Sequence, residues 1–259
     1  MKPVVLFSQK KDYLALDFDG VIADSIKECF VVAHNAFVEF SGDGLRVDFF
    51  DDLDEEKVAK MRHIRNFIRS GEDYVYINLA IEKNAIVQNQ KDFDSFTEQY
   101  KDLRATFFDE FYRERETFSQ EKPRLWAELN PLYPGIRPFL ATYKQAERLF
   151  IISTKKAEFV DKTLTANDIH FDTDRIFYAT AQRSKRTIIE ELLDQHRIRP
   201  DQFHFIDDQI DTLLTVAETG VSCYLALWGY NNEGQIETAR KRGIPILELQ
   251  DFLEIFSAG

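Results

Sequence analysis

Hydrophobic residues in this chain gather into short runs, and the stretches between those runs have helical character. Five apolar segments read as β-strands: residues 13–18, 148–153, 175–178, 203–207 and 221–227. From the second strand onward they alternate with predicted helices. Residues 138–147 precede the second strand, 157–166 and 184–196 separate the next pairs, and 211–218 precede the last. Alternation at this spacing favours an α/β fold, with a parallel sheet covered by helices on both faces. Residues 243–249 add a short edge strand before a last helix.

Residues from about 27 to 130 break the alternation. They are rich in charged and aromatic positions, as in Phe49-Phe50-Asp51-Asp52 and Phe107-Phe108-Asp109-Glu110-Phe111-Tyr112. Within them, 55–69 and 93–116 carry apolar residues at helical intervals, for example Met61, Ile64 and Ile68. The pattern predicts a helical insertion at 27–130 within a core formed by 1–26 and 131–259. The chain returns through Pro131-Leu132-Tyr133-Pro134-Gly135-Ile136-Arg137-Pro138, a turn-rich segment suited to a hinge. The aromatic pairs of 107–112 read as core of the insertion rather than as a ring-stacking platform.

Length and composition narrow the function classes. The 259 residues suffice for one large domain or two modest ones, and a hydrophobic share of 44 % with 23 Phe supports a bulky core. A formal net charge of −12 argues against a broad nucleic-acid surface, and requires that an anionic substrate meet a locally positive site or a bound cation. No apolar run approaches the roughly 18–20 residues that span a bilayer, so no membrane association is expected. The run at 3–7 is too short for a signal-peptide core and lacks a cleavage site after it. Cys29 and Cys223 lie far apart and match no metal spacing; buried, reduced thiols in a cytoplasmic protein are the expectation.

Candidate chemistry collects where strands end. Asp17-Phe18-Asp19-Gly20 follows the first apolar run, and two carboxylates one residue apart can share a cation or divide the roles of nucleophile and proton donor. The second strand ends in Ser153-Thr154-Lys155, Lys185 opens a helix, and Phe203-His204-Phe205-Ile206 leads into Asp207-Asp208 with Asp211 three residues on. In an open α/β sheet, ligands bind beyond the carboxyl ends of the strands, so these distant segments can meet at one edge.

Taken in order, the four segments resemble the haloacid dehalogenase-like hydrolase superfamily, and its magnesium-dependent phosphatases in particular. Asp-Phe-Asp-Gly-Val-Ile-Ala-Asp-Ser, at 17–25, is close to the phosphoglycolate-phosphatase-like form. The resemblance covers roughly 11–26 and 131–230, and it implies a Rossmann-like core with 27–130 as an α-helical cap. It further implies Mg²⁺-dependent hydrolysis of a small phosphorylated metabolite. Asp17 would attack phosphorus to form an aspartyl phosphate, and Asp19 would act as general acid and base, with its pKa raised relative to Asp17. Asp17, the Asp19 carbonyl and Asp207 would hold the metal, assisted by Asp208 or Asp211. Ser153, with backbone N–H groups near Phe18 and Thr154, would hold the phosphoryl oxygens, and Lys185 would offset the negative charge. Two positions depart from the usual pattern: Ile206 stands where Gly is frequent, and no proline follows Lys185.

Plainer roles compete for several of these residues. Asp24, Ser25 and Thr154 can serve as caps, Arg183 and Arg186 stand beside Lys185, and Asp208 and Asp211 can favour a helix dipole. In the insertion, Arg62, Arg65 and Arg69 fall near one another at helical spacing. Arg65 and Arg69 are the candidates to meet a substrate carboxylate or second phosphate, against the reading of a solvated charged face. The alternatives for the whole chain are a phosphomutase using the same aspartyl phosphate, and a catalytically idle phosphate-binding protein on this scaffold.

Overall fold

The computed structural model describes residues 6–257, so most of the apolar run at 3–7 lies outside the described residues. Six parallel strands form one sheet: β1 (Tyr13–Leu16), β2 (Leu149–Ser153), β3 (Ile176–Tyr178), β4 (Phe203–Asp207), β5 (Ser222–Ala226) and β6 (Ile246–Leu247). Their order is β3-β2-β1-β4-β5-β6. Every predicted strand is present: 203–207 matches β4, the other four main strands lose one or two residues at their ends, and the edge strand predicted over 243–249 shortens to Ile246–Leu247. The chain divides into two compact units, one running through Asp24 and again from Leu132, the other being Ser25–Pro131.

Side chains that alternate along the strands build two separate cores, one on each face of the sheet. Leu14, Leu16, Ile151, Ile206, Tyr224 and Ala226 point to one face, and Ala15, Phe150, Ile152, Phe205, Cys223 and Leu225 to the other. Because both faces are buried, the strands read as unbroken apolar runs rather than alternating ones. Cys29 and Cys223 are both buried, and neither forms a disulfide.

The Ser25–Pro131 unit consists of α1 (Ile26–Ser41), α2 (Glu55–Arg65), α3 (Asp73–Glu82), α4 (Gln90–Gln99), α5 (Arg104–Glu121) and α6 (Pro123–Glu128). Two expectations need correction. The helix predicted over 55–69 stops at Arg65, because the Asp73 carboxylate takes the Arg69 and Ser70 N–H groups at 2.8 and 3.1 Å. A side chain competing for backbone donors ends one helix and starts the next. The helix predicted over 93–116 is two helices, because the Tyr100 carbonyl accepts from the Tyr76 hydroxyl at 2.8 Å and from Leu103 N–H at 3.0 Å. Phe107, Phe111 and Tyr112 are core, with Tyr76 edge-on to Phe107 and Tyr74 stacked on Phe111. Arg115 grips Glu28 with two hydrogen bonds of 2.8 and 2.9 Å, both side chains at most 3 % exposed.

The remaining helices cover the sheet: α7 (Ile136–Thr142), α8 (Ala157–Ala166), α9 (Lys185–His196), α10 (Ile210–Ala217), α11 (Glu233–Arg242) and α12 (Leu249–Ser257). Helices α7, α8 and α12 fill one core, and α9, α10 and α11 the other. Where the chain returns to this unit it lies beside the place it left, since Tyr133 N–H donates to the Ile22 carbonyl at 3.0 Å. Among the described residues, no helix is long and apolar enough to cross a membrane.

Candidate active site

Strand order places Asp17, Ser153 and Asp207 at one edge. The connections run β1 to β2 to β3 on one side and then cross to β4 on the other, so the order reverses beside β1. The gap beyond the carboxyl ends at such a switch is the usual ligand site of an open α/β sheet. Leu16 pairs with Ile206 and with Ile151, so Asp17 and Asp207 emerge side by side and Ser153 ends the neighbouring strand. Asp17 N–H donates to the Ile206 carbonyl at 2.9 Å, which extends the pairing by one residue.

Asp17, Asp207 and Asp208 are all buried, and each offers an oxygen within 4.8 Å of the others. Lys185, the first residue of α9, reaches between two of them: its Nζ is 2.9 Å from Asp17 Oδ2 and 2.7 Å from Asp207 Oδ2. The Ser184 hydroxyl oxygen caps α9 by accepting from Thr187 N–H at 3.1 Å, and so sets the turn from which Lys185 enters the interior. Arg183 and Arg186 do not take this place; they pair with Glu191, Glu190 and Glu218.

The electrostatics follow from burial. Removal from water raises the Asp17 carboxyl to about 6, with the Lys185 ammonium opposing and the Asp207 charge adding to the rise. Asp207 is raised for the same first reason, again opposed by Lys185. Burial pulls the Lys185 ammonium down, but Asp17 and Asp207 outweigh it and hold Lys185 above the ordinary lysine range. One ammonium balances one of three clustered carboxylates. Oxygen-only donors with excess negative charge, buried at strand ends, fit a hard divalent cation such as Mg²⁺.

Asp19 is half-buried and pairs with a residue not assigned a role from sequence: Lys155 Nζ lies 3.1 Å from Asp19 Oδ1, its own side chain fully buried. Its only signal was position, two residues past a strand-end serine. Ser153 is buried, and its hydroxyl oxygen accepts the Lys155 N–H at 3.2 Å. Thr154 is exposed. The Phe18 N–H donates to Asp17 Oδ1 at 2.7 Å. Of the two acids expected to assist the metal, Asp208 lies in the cluster, while Asp211 is exposed on the first turn of α10, where its charge suits the helix dipole.

The arginine face also differs from expectation. Arg69 lies beyond the end of α2, and its guanidinium donates to the Ile68 carbonyl and to Gln90 Oε1 at 3.0 and 2.7 Å. Arg65 is buried, 5.7 Å from the centre of the Tyr74 ring, while Arg62 stands over Phe50.

Comparison with known proteins agrees with this geometry. The family model described as haloacid dehalogenase-like hydrolase matches residues 14–226. A search of curated proteins finds no match. Among solved structures, a haloacid dehalogenase-like family hydrolase from Streptococcus pneumoniae aligns with a TM-score of 0.57 and 18 % identity, over 95 % of this chain and 97 % of that one. A protein described as a predicted phosphoglycolate phosphatase from Haemophilus somnus aligns with a TM-score of 0.60 and 17 % identity, over 96 % and 97 %. A third, described as a predicted phosphatase from Clostridium acetobutylicum, gives 0.59 and 13 %, over 94 % and 97 %. At such identities the structures testify to the fold, while the family model spans β1 through β5 and every strand-end residue of the cluster. On that match, this chain belongs to the haloacid dehalogenase-like hydrolase family.

Proposed function

We propose that this protein is a Mg²⁺-dependent phosphatase that hydrolyses a small phosphate monoester through a phosphorylated Asp17. The observation carrying this reading is the buried set Asp17, Asp207 and Asp208 with Lys185 spanning the first two. Asp17, Asp207 and Asp208 would hold Mg²⁺, which when bound neutralises phosphoryl oxygen charge and lets a carboxylate approach an anion.

The protein's own groups account for the bond changes. An Asp17 oxygen bonds to phosphorus as the ester P–O bond breaks, and Asp19 gives its proton to the leaving alkoxide. Asp19, now ionised and beside the Lys155 ammonium, then takes a proton from water. That water oxygen bonds to phosphorus, the P–O bond to Asp17 breaks, and inorganic phosphate leaves. Transfer of this kind by a positioned acid–base group is worth about 10²–10⁴-fold in rate. Lys185 holds Asp17 in place and offsets charge, and the Ser153 hydroxyl faces the same strand edge.

The Ser25–Pro131 unit is the proposed cap, with Arg65 and Arg69 as its contacts to a substrate carboxylate or second phosphate. Hydrolysis of a generic aryl phosphate, with and without Mg²⁺, tests the core reading. Activity that persists in Asp17→Asn, or that ignores chelation, would falsify it. Labelled phosphoryl found on a sugar rather than in free phosphate would favour the mutase, and no turnover across a broad ester panel would favour the idle binder. Unchanged substrate selectivity in Arg65→Ala would remove Arg65 from recognition and leave the core assignment standing.

A further inference from the structure

The turn after β5, Trp228-Gly229-Tyr230, belongs to none of the four motif segments, yet it touches two of them. The Tyr230 N–H donates to Asp208 Oδ2 at 2.6 Å. The Tyr230 hydroxyl donates to Asp24 Oδ1 at 2.7 Å, and the Tyr230 carbonyl accepts from Gln209 Nε2 at 3.1 Å. One residue earlier than Gly229, the Trp228 indole N–H donates to the Val21 carbonyl at 3.1 Å. The turn is thereby fastened both to the loop after β1 and to the loop after β4.

Two glycines make this approach possible. A Cβ on Gly229 would lie 2.3 Å from Asp208 Cβ and 2.5 Å from the Gly20 carbonyl oxygen. Neither obstacle can swing away, since one is a backbone atom and the other is fixed to it. A Cβ on Gly20 would lie 2.2 Å from Asp208 Oδ2, and Gly20 also holds a φ of +91°. Asp208 is therefore enclosed by backbone on both sides, with one carboxylate oxygen fixed by a main-chain donor. A carboxylate kept dry and in one orientation is what a metal ligand needs. Hydrogen bonds that orient ligands typically matter by 10–100-fold in metal affinity.

Resting on the proposed metal site, we infer that Gly229 and Tyr230 form a positioning element that orients Asp208 toward the ion, with Tyr230 anchored through its hydroxyl to Asp24. Gly229 admits the turn, the Tyr230 N–H holds the carboxylate, and the Tyr230–Asp24 bond keeps that N–H in place. Tyr230 is a positioning residue and makes no contact with substrate in this scheme.

The test measures Mn²⁺ binding directly, by the loss of free-ion electron paramagnetic resonance signal on titration into the full chain. Circular dichroism and thermal melting are recorded for each variant. Asp208→Ala is expected to lose binding at least 10-fold. Gly229→Ala should lose about 10–100-fold, and Tyr230→Phe, which removes only one hydroxyl and leaves packing intact, several-fold. Asp24→Ala should match Tyr230→Phe, while Asp24→Asn, which keeps an acceptor oxygen, should bind as wild type does. If Asp208→Ala loses binding while Tyr230→Phe and Asp24→Ala bind as wild type, the positioning role is wrong and the metal site stands. If Asp208→Ala itself binds Mn²⁺ unchanged, the metal site as proposed fails and the positioning role fails with it. A Gly229→Ala chain that does not fold leaves the Tyr230 and Asp24 variants to decide.

Discussion

Replacing Asp17 with Asn should stabilise the metal-free protein, and by more at neutral than at acid pH. Burial raises this carboxyl from its ordinary 3.8 to about 6. Between those values the folded state keeps a proton that the unfolded state has released, so stability falls as pH rises through the window. At ~1.4 kcal/mol per pKa unit, Asp17 costs the fold ~1 kcal/mol at pH 4.5 and ~3 kcal/mol at pH 7.5. The Asn variant escapes this cost, while Lys185 stays protonated across the range and adds no pH dependence of its own. The stability gain of Asp17→Asn should therefore grow by ~2 kcal/mol from pH 4.5 to 7.5. Urea unfolding of both proteins in chelator at the two pH values measures the double difference, in which titrating groups outside the Asp17–Lys185–Asp207 cluster cancel to first order. A gain that is equal at both pH values, or larger at pH 4.5, would refute the claim that Asp17 is held in a desolvated, charge-starved position.

Other outcomes follow from the same contacts. Lys185→Met should lower kcat by roughly 10²–10³-fold in a steady-state aryl phosphatase assay, as expected for loss of a fixed charge beside the reacting groups. Lys155→Met should slow turnover, yet Lys155→Met with Asp19→Ala should be no slower than Asp19→Ala alone, because the lysine acts through that carboxylate; additive losses in the double-mutant cycle would contradict this. Arg115→Leu removes the cation paired with the buried Glu28 and should cost ~3–5 kcal/mol in denaturant unfolding. Gly20→Ala forces a side chain into a left-handed turn against Asp208, and calorimetry should show a loss of at least ~1 kcal/mol.

Much of the sheet was legible because parallel strands buried on both faces must be apolar throughout, and helices between them must present one apolar stripe. The 203–207 run coincides with β4, and 157–166 with α8. What failed to show was structure set by distant hydrogen bonds. Helix α2 ends early because Asp73 captures backbone donors, and the 93–116 periodicity hides a break held by Tyr76 on Tyr100. Neither competition leaves a mark on hydrophobic spacing.

The site divides in the same way. Asp17, Asp207 and Ser153 stand at strand ends, where a sheet edge concentrates chemistry, and Lys185 begins a helix whose Ser184 cap is visible in sequence. Lys155 and Tyr230 gain meaning only through partners 136 and 206 residues away, Asp19 and Asp24. Asp211 was ambiguous with Asp208 because both precede or open α10; only burial separates them, since Asp208 lies inside and Asp211 faces solvent.

The phosphorylated Asp17 is the central claim, and it can be looked for directly. The protein is mixed with Mg²⁺ and a ³²P-labelled phosphate monoester, quenched in acid during turnover, and digested for mass spectrometry. The account predicts label on the peptide containing Asp17 and none in the Asp17→Asn variant. Label on another residue, or turnover with no labelled protein at any quench time, would contradict it.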